Sequence, residues 1–322
     1  MQNLYLHIGR GKTGTTAIQR FLSAHREGLR AQGLHYVEAD DTAQMGHQDF
    51  AKSFIHRAPS YMKMPAHPER SRAAVRAELV SSASPNGLLS SENFTLADIP
   101  ELADFFARSL GGAKIKIIFF ARSQDELAES QYNQMVKLAL CAKTFEEYIA
   151  TELDELDFPA LLDPWAAHFG KDNIIARVYD GTESNVIQDF LGCLPLSFVA
   201  DAGPDEEAPS SNPSVGYLAL QIFRVLNRFE FPAQRALYEQ LNETVKPIDL
   251  PPLFFNSAEA RAFRDRFRSS NQFFIREYQG GRGDDLGGRK YSDAERDRIY
   301  HQIQKLRQSS GTDFSGRGLP RP

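Results

Sequence analysis

The stretch Leu4-Tyr5-Leu6-His7-Ile8-Gly9-Arg10-Gly11-Lys12-Thr13-Gly14-Thr15-Thr16-Ala17-Ile18 decides how the chain is read. Its first five residues are an apolar run of strand length, and Ile18, Phe21, Leu22 and Leu29 continue at helical spacing. Between the two lies a glycine-bearing turn. A strand, such a turn and a helix start together aim backbone N–H groups at an anion, because the first N–H groups of a helix have no partner inside it. Glycine lets the backbone approach an oxygen-rich group with no Cβ in the way, Thr15 and Thr16 offer hydroxyls, and Lys12 adds a full positive charge. The segment therefore has the makings of a phosphate cradle. The plainer alternative is a helix-capping loop with a solvated lysine.

In the nucleotide P-loop, G-x-x-x-x-G-K-[ST], a lysine follows the second glycine. Gly9 and Gly14 have that separation, but Thr15 stands in the lysine position and the lysine has moved to Lys12. The displacement argues against an ordinary ATP or GTP hydrolase, as does the lack of an evident acidic strand end to hold a metal. Lys-Thr-Gly-Thr-Thr directly after a strand resembles instead the 5′-phosphosulfate loop of sulfotransferases that use 3′-phosphoadenosine 5′-phosphosulfate (PAPS). The resemblance implies that Lys12 contacts the bridging and sulfuryl oxygens and that Thr13, Gly14, Thr15 and Thr16 hold the 5′-phosphate. Arg10 and Gly11 belong to the same cofactor loop.

A second signature lies downstream. Ile115 to Phe120 is a nearly continuous apolar run, as expected of a buried parallel strand, and it ends at Ala121-Arg122-Ser123. Ligands of parallel α/β sheets collect at the strand C-termini, so Arg122 is expected at the same edge as Lys12, where a guanidinium can grip phosphate through two bonds. Ser130 follows eight positions on, two turns into a helix. Sulfotransferases show an Arg at a strand end and a Ser about eight residues later, together holding the 3′-phosphate of PAPS. Arg122 and Ser130 match in type and spacing, although the usual Arg-Asp-Pro is Arg-Ser-Gln here. Taken singly, each has a plain structural reading, Arg122 as a salt bridge at the sheet edge and Ser130 as a helix-surface residue.

The third constellation is Leu88-Leu89-Ser90-Ser91-Glu92-Asn93-Phe94. A carboxylate at the end of a central strand stands where an acceptor hydroxyl would meet the donor, and a base there can take the proton as oxygen attacks sulfur. Carbohydrate sulfotransferases of the heparan type use a Glu in a comparable place, which makes Glu92 the candidate base; a helix cap near Asp98 or an arginine pair is the equal alternative. His47 could orient an acceptor or replace Glu92 as base, or be plain surface. His7 is expected to be a satisfied core group. Arg282, Arg289 and Lys290, in a basic glycine-rich loop, could close over a nucleotide or simply be solvated.

The bulk properties limit the alternatives. With 37 Lys and Arg against 42 Asp and Glu, the net charge of −5 gives no general electrostatic reason to bind nucleic acid or an acidic membrane. Cys141 and Cys193 lack metal-binding spacing and are expected as reduced core residues. No signal segment or transmembrane-length run is evident, so a cytoplasmic protein is expected, with no metal and an undetermined oligomeric state.

Strands are expected over Leu4–Ile8, Leu34–Val37, Leu88–Ser91, Ile115–Phe120 and Ile174–Val178, alternating with helices, which means a parallel five-stranded α/β sheet of the P-loop type. The irregular stretch from Glu38 to Pro68 is expected as a lid or acceptor-binding insertion rather than core. A core over 1–200 is expected to be followed by a helical extension over 201–322 that packs on it as one structural unit. The combined expectation is a PAPS-dependent sulfotransferase acting on a hydroxyl acceptor, a saccharide or other metabolite. A small-molecule kinase with an altered P-loop and a non-catalytic nucleotide binder are the rivals.

Overall fold

A computed structural model describes residues 1–40, 46–151, 156–179, 183–197, 215–229, 234–246, 257–281 and 286. Strands β1 (Asn3–His7), β2 (Leu34–Tyr36), β3 (Asn86–Ser90), β4 (Lys114–Ala121) and β5 (Ile174–Val178) form one parallel sheet in the order β2-β3-β1-β4-β5. β1 lies at its centre, with Leu6 paired to Leu89 of β3 on one side and to Ile117 of β4 on the other. The chain therefore winds first to one side of β1 and then to the other. Such a reversal opens a crevice beyond the C-terminal end of the central strand, which here is the end that runs into Gly9.

Alternate residues of a strand face opposite sides, and the core divides accordingly. Leu4, Leu6, Leu89, Ile117 and Phe119 are buried on one face. Helices α4 (Pro68–Ser81), α5 (Ile99–Leu110), α6 (Gln124–Lys137) and α8 (Phe158–Phe169) supply its cover through Leu79, Phe106, Leu127 and Phe158. Tyr5, Leu88, Ile118 and Phe120 are buried on the other face. It is closed by Leu22 of α1 (Thr15–Ala24), Leu29 of α2 (Arg26–Ala31) and Phe190 of α9 (Glu183–Leu191). Each fully buried aliphatic or aromatic side chain contributes about 1.5–3 kcal/mol.

Local signals set the helix ends. Asp98 accepts from the Glu101 N–H at 2.9 Å at the start of α5, and Gly111 ends that helix in the left-handed region at φ +51°. At α7 (Phe145–Thr151), Thr144 and Glu147 exchange N–H bonds of 2.7 and 3.2 Å, the reciprocal capping box that a Thr-x-x-Glu spacing permits.

The stretch after Glu38 departs from expectation. It contains α3 (Gln48–Lys52), and Phe50, Ala51 and Phe54 are fully buried, with Phe50 ringed by Phe54, Phe94, Phe105 and Phe106. The apolar spacing Phe50-Ala51-Phe54 anchors this part in the core. Prolines and polar residues around it masked that pattern.

Beyond the sheet, α10 (Tyr217–Leu226) packs on α6 and against α11 (Gln234–Val245), α12 (Ser257–Asp265) packs on α6, and α13 (Arg268–Tyr278) packs on α8. Two polar contacts tie α12 and α13 to the first turn of α6. Gln124 and Asn271, both buried, exchange amide bonds of 2.6 and 3.1 Å. Asp125 is fully buried and pairs with Arg264 at 2.6 Å, while Ser123 also donates to it. Removing one member of a buried ion pair leaves an uncompensated charge. Arg264→Met is accordingly expected to lower the urea unfolding free energy by about 3–5 kcal/mol. The double change Asp125→Asn/Arg264→Met should lose distinctly less, and equal losses in the two variants would contradict the pairing.

Candidate functional site

The loop from Gly9 to Gly14 owes its shape to three backbone positions. A Cβ on Gly9 would lie 2.6 Å from Thr15 Oγ1 and 2.7 Å from His7 Nε2, so no larger residue fits. Gly14 caps α1 at φ +77°, and a Cβ there would lie 2.8 Å from Val186. Lys12 also adopts a positive φ, +73°, without being glycine. Such backbone strain persists only where surroundings enforce it and concentrates at functional sites. Inside the loop, the Arg10 carbonyl accepts from Thr13 Oγ1 at 2.6 Å and from Thr15 Oγ1 at 3.3 Å. No acidic residue occupies the first turn of α1, so its positive dipole end is left for an anion.

Arg122 leaves the end of β4 and meets this loop directly, Nη1 donating to the Lys12 carbonyl at 2.8 Å. Its Nε donates to Glu126 at 3.1 Å, and its guanidinium stands 5.3 Å over the Tyr179 ring. These bonds use two of the five N–H donors a guanidinium carries. Ser130 lies one helical turn beyond Glu126 and is partly exposed. Residues four apart share a helix face, so Ser130 stands on the face of α6 that holds Arg122.

Glu92 begins the 3₁₀ turn after β3, over Glu92–Leu96. Its Oε2 lies 3.4 Å from the point where a Cβ on Gly11 would be, so the carboxylate borders the loop. Glu92 is exposed as a residue, yet neighbouring protein crowds its carboxylate enough to cost it part of its hydration. Burial pushes its carboxyl above the ordinary carboxylate range, while Lys12 and Lys52 pull it back. Burial, then Arg122 and then Lys137, lower the Lys12 ammonium from its ordinary value, and Glu92 opposes them. Asp98, not Glu92, caps α5.

The structure thus brings Lys12, Gly11, Arg122 and Glu92 to one rim of the sheet, with Thr13, Gly14, Thr15 and Thr16 in the same loop and Ser130 on the flanking helix. Arg10 is buried, and its carbonyl organises the loop. His47 does not join them. It is fully buried, its Nε2 bonds the Val37 carbonyl at 2.9 Å, and its Nδ1 accepts from the Ser90 N–H at 3.0 Å. A ring committed to backbone on both sides and shielded from solvent holds the end of β2 against β3 and cannot meet an acceptor. Arg282, Arg289 and Lys290 lie outside the described residues. Sequence reasoning missed Lys137, which lies seven residues beyond Ser130, and Lys52, whose charge reaches Glu92. The face of α6 shared by Glu126 and Ser130 was the available signal for Lys137.

No family model matches the chain. A protein of Archaeoglobus fulgidus described only as uncharacterized is 30% identical over 200 residues, covering 60% of this chain and 54% of that protein. The chain therefore spans about half the length of the curated relative it matches. A solved sulfotransferase of Alicyclobacillus acidocaldarius aligns over 73% of this chain and 99% of its own, at 16% identity and a TM-score of 0.43. An overlap that shallow says nothing of chemistry. Among the described residues no helix is long and apolar enough to cross a membrane.

Two outcomes are expected of the ligand-free protein. Because the folded chain holds the Glu92 proton more tightly than the unfolded chain, the ionised group weakens the fold above the ordinary carboxylate range and not below it. Glu92→Gln should therefore be the more stable protein near pH 7 in urea unfolding, with the advantage fading as the pH falls toward about 4. Lys12→Gly and Lys12→Ala both remove the buried charge, but only glycine relieves the left-handed backbone. Lys12→Gly should exceed Lys12→Ala in stability by about 1 kcal/mol.

Proposed function

We propose that this chain transfers a sulfuryl group from PAPS to a hydroxyl acceptor, a saccharide or another hydroxylated metabolite. The observation that carries the reading is the bond from Arg122 to the Lys12 carbonyl, which joins the two cationic signatures at the switch point of a parallel sheet. The residues present suit such a donor. The Gly9–Gly14 loop and the start of α1 form a cradle for the 5′-phosphate side, held by the Gly11 and Gly14 backbone and by Thr13, Thr15 and Thr16. Arg122 and Ser130 take the 3′-phosphate. In this reading the helical extension belongs to the same unit, with α10 and α12 bracing α6.

When bound, PAPS supplies an activated sulfuryl group on a leaving phosphate. The chain's own part is positioning and charge. Glu92 accepts the acceptor hydroxyl's proton on its carboxylate, and its raised affinity for protons favours that transfer. Lys12 neutralises the charge that gathers on the departing phosphate, and its depressed proton affinity reflects a water-poor setting in which a charge acts strongly. Lysine and loop dipoles take the part that a metal takes in a kinase.

Thermal melting with adenosine 3′,5′-bisphosphate, adenosine 5′-phosphate and ATP with Mg²⁺ tests the reading. A specific ligand at a hundredfold its Kd stabilises by about 2.7 kcal/mol. The bisphosphate should give the largest shift, and Arg122→Ala should bring its shift down to that of the monophosphate. With labelled PAPS and a panel of hydroxyl acceptors, Lys12→Ala should lose at least about a hundredfold in turnover, as when one charge-stabilising group is removed elsewhere. A larger shift with ATP and Mg²⁺ would favour a kinase instead. Tight bisphosphate binding without transfer to any acceptor would favour a binding protein.

A further inference from the structure

His7 is the last residue of the central strand and is fully buried beneath the loop, packed edge-on to Phe120 and against Phe190. Its Nδ1 lies 2.8 Å from Ser90 Oγ, while its Nε2, shielded from water, has no hydrogen-bond partner. A buried polar atom without a partner is destabilising by about 1–3 kcal/mol, so its presence calls for a reason. Burial pushes the imidazole down to about 3, so the ring is neutral at any pH where the protein works and carries one proton.

The neighbours locate that proton. The Gln19 amide group lies 3.3 Å from the Ser90 carbonyl and 3.2 Å from Ser90 Oγ. Only an NH₂ can face a carbonyl, so it is Gln19 Nε2 that donates to Ser90 Oγ. The Ser90 hydroxyl is then best satisfied by donating to His7 Nδ1, which leaves the imidazole proton on Nε2. That N–H points up at the loop. Nε2 and Thr15 Oγ1 converge on one spot, 2.7 and 2.6 Å from the place where a Cβ on Gly9 would be. Thr15 is buried, and its hydroxyl spends its proton on a long 3.3 Å bond to the Arg10 carbonyl, which already has a 2.6 Å bond from Thr13. The Thr15 bond is the expendable one.

We infer that His7 is a positioning residue for the anion site: when an anion in the loop draws the Thr15 proton onto a phosphoryl oxygen, the His7 Nε2–H, unpartnered in the ligand-free protein, closes onto Thr15 Oγ1 and completes a relay that runs from Gln19 through Ser90. Each hydroxyl in this relay accepts one bond and passes one on, so the Thr15 hydroxyl is polarised toward the anion without adding another full charge to Lys12 and Arg122. The glycine at position 9 is then required by the relay, since any side chain there would part His7 from Thr15. The inference rests on the reading of Gly9–Thr16 as an anion cradle and does not depend on what the acceptor is.

The test is calorimetric binding of adenosine 3′,5′-bisphosphate and of inorganic pyrophosphate to the full chain. His7→Asn keeps the contact with Ser90 but falls short of Thr15, and should weaken both ligands about tenfold, the usual weight of a hydrogen bond to a charged group. His7→Gln, whose amide reaches the Nε2 position, should recover affinity to within about threefold of the parent. In a Thr15→Val background, His7→Asn should cause no further loss, because the two groups act as one. Undiminished binding by His7→Asn, or losses that multiply in the double variant, overturns the relay while leaving the cradle intact. No binding of either ligand by the parent protein overturns the cradle and the relay together. Should His7→Asn fail to fold, ¹⁵N spectra of the parent decide: the His7 proton is expected on Nε2 and its signal is expected to move when the bisphosphate is added. A proton on Nδ1, or an unmoved signal, overturns the relay.

Discussion

One hydrogen bond governs the arrangement of the cleft: the guanidinium of Arg122 holding the carbonyl of Lys12. A peptide unit that enters the left-handed region turns its carbonyl away from the direction a helix or strand would give it, and an orphaned carbonyl there needs a donor. Arg122 is that donor, and Glu126 and Tyr179 fix the guanidinium in turn. The strain at Lys12 and the grip of Arg122 are thus two sides of one constraint. It explains why a lysine can sit where a loop of this shape would ordinarily use glycine.

The electrostatics follow from the same crowding. Charged groups from separate elements crowd this rim: Lys12 feels Arg122, Lys137 and Glu92, Lys52 acts on Glu92 as well, and Glu126 holds Arg122. Without an anion, burial opposes the charge on both Lys12 and Glu92, so the ligand-free cleft is held at a higher free energy than a neutral one would be. In the proposed reading an anionic ligand relieves the mutual repulsion of Lys12, Arg122 and Lys137. Stability in the empty protein and readiness for charge are therefore in opposition at this site.

Much of the fold was legible because its signals are local. The Leu4–Ile8 run and the apolar Ile115–Phe120 strand follow from periodicity, and each appears within a residue or two of its expected place. The meeting of Arg122 with the loop was legible too, since a parallel sheet gathers its strand ends at one edge. The two histidines were harder. His47 was given an acceptor-facing role and His7 a satisfied core role, yet His47 is the one with both nitrogens bonded and His7 has an idle one. Nothing local separates them, because the partners of each are set by strand pairing across distant segments. Phe50 and Phe54 were hidden for a similar reason: the aromatic cluster that buries them is assembled from α5 and the turn after β3.

The buried amide and ion pairs that anchor the start of α6 have a temporal side. The five strands of the described sheet have been synthesised by Val178, but Arg264 and Asn271, which satisfy Asp125 and Gln124, are added far later. A nascent chain emerging from the ribosome N-terminus first can therefore assemble its sheet while the turn bearing Arg122 still lacks its braces. The finished rim therefore waits on α12 and α13, and a prematurely terminated product would keep Asp125 inside its helical layer without the cation that balances it.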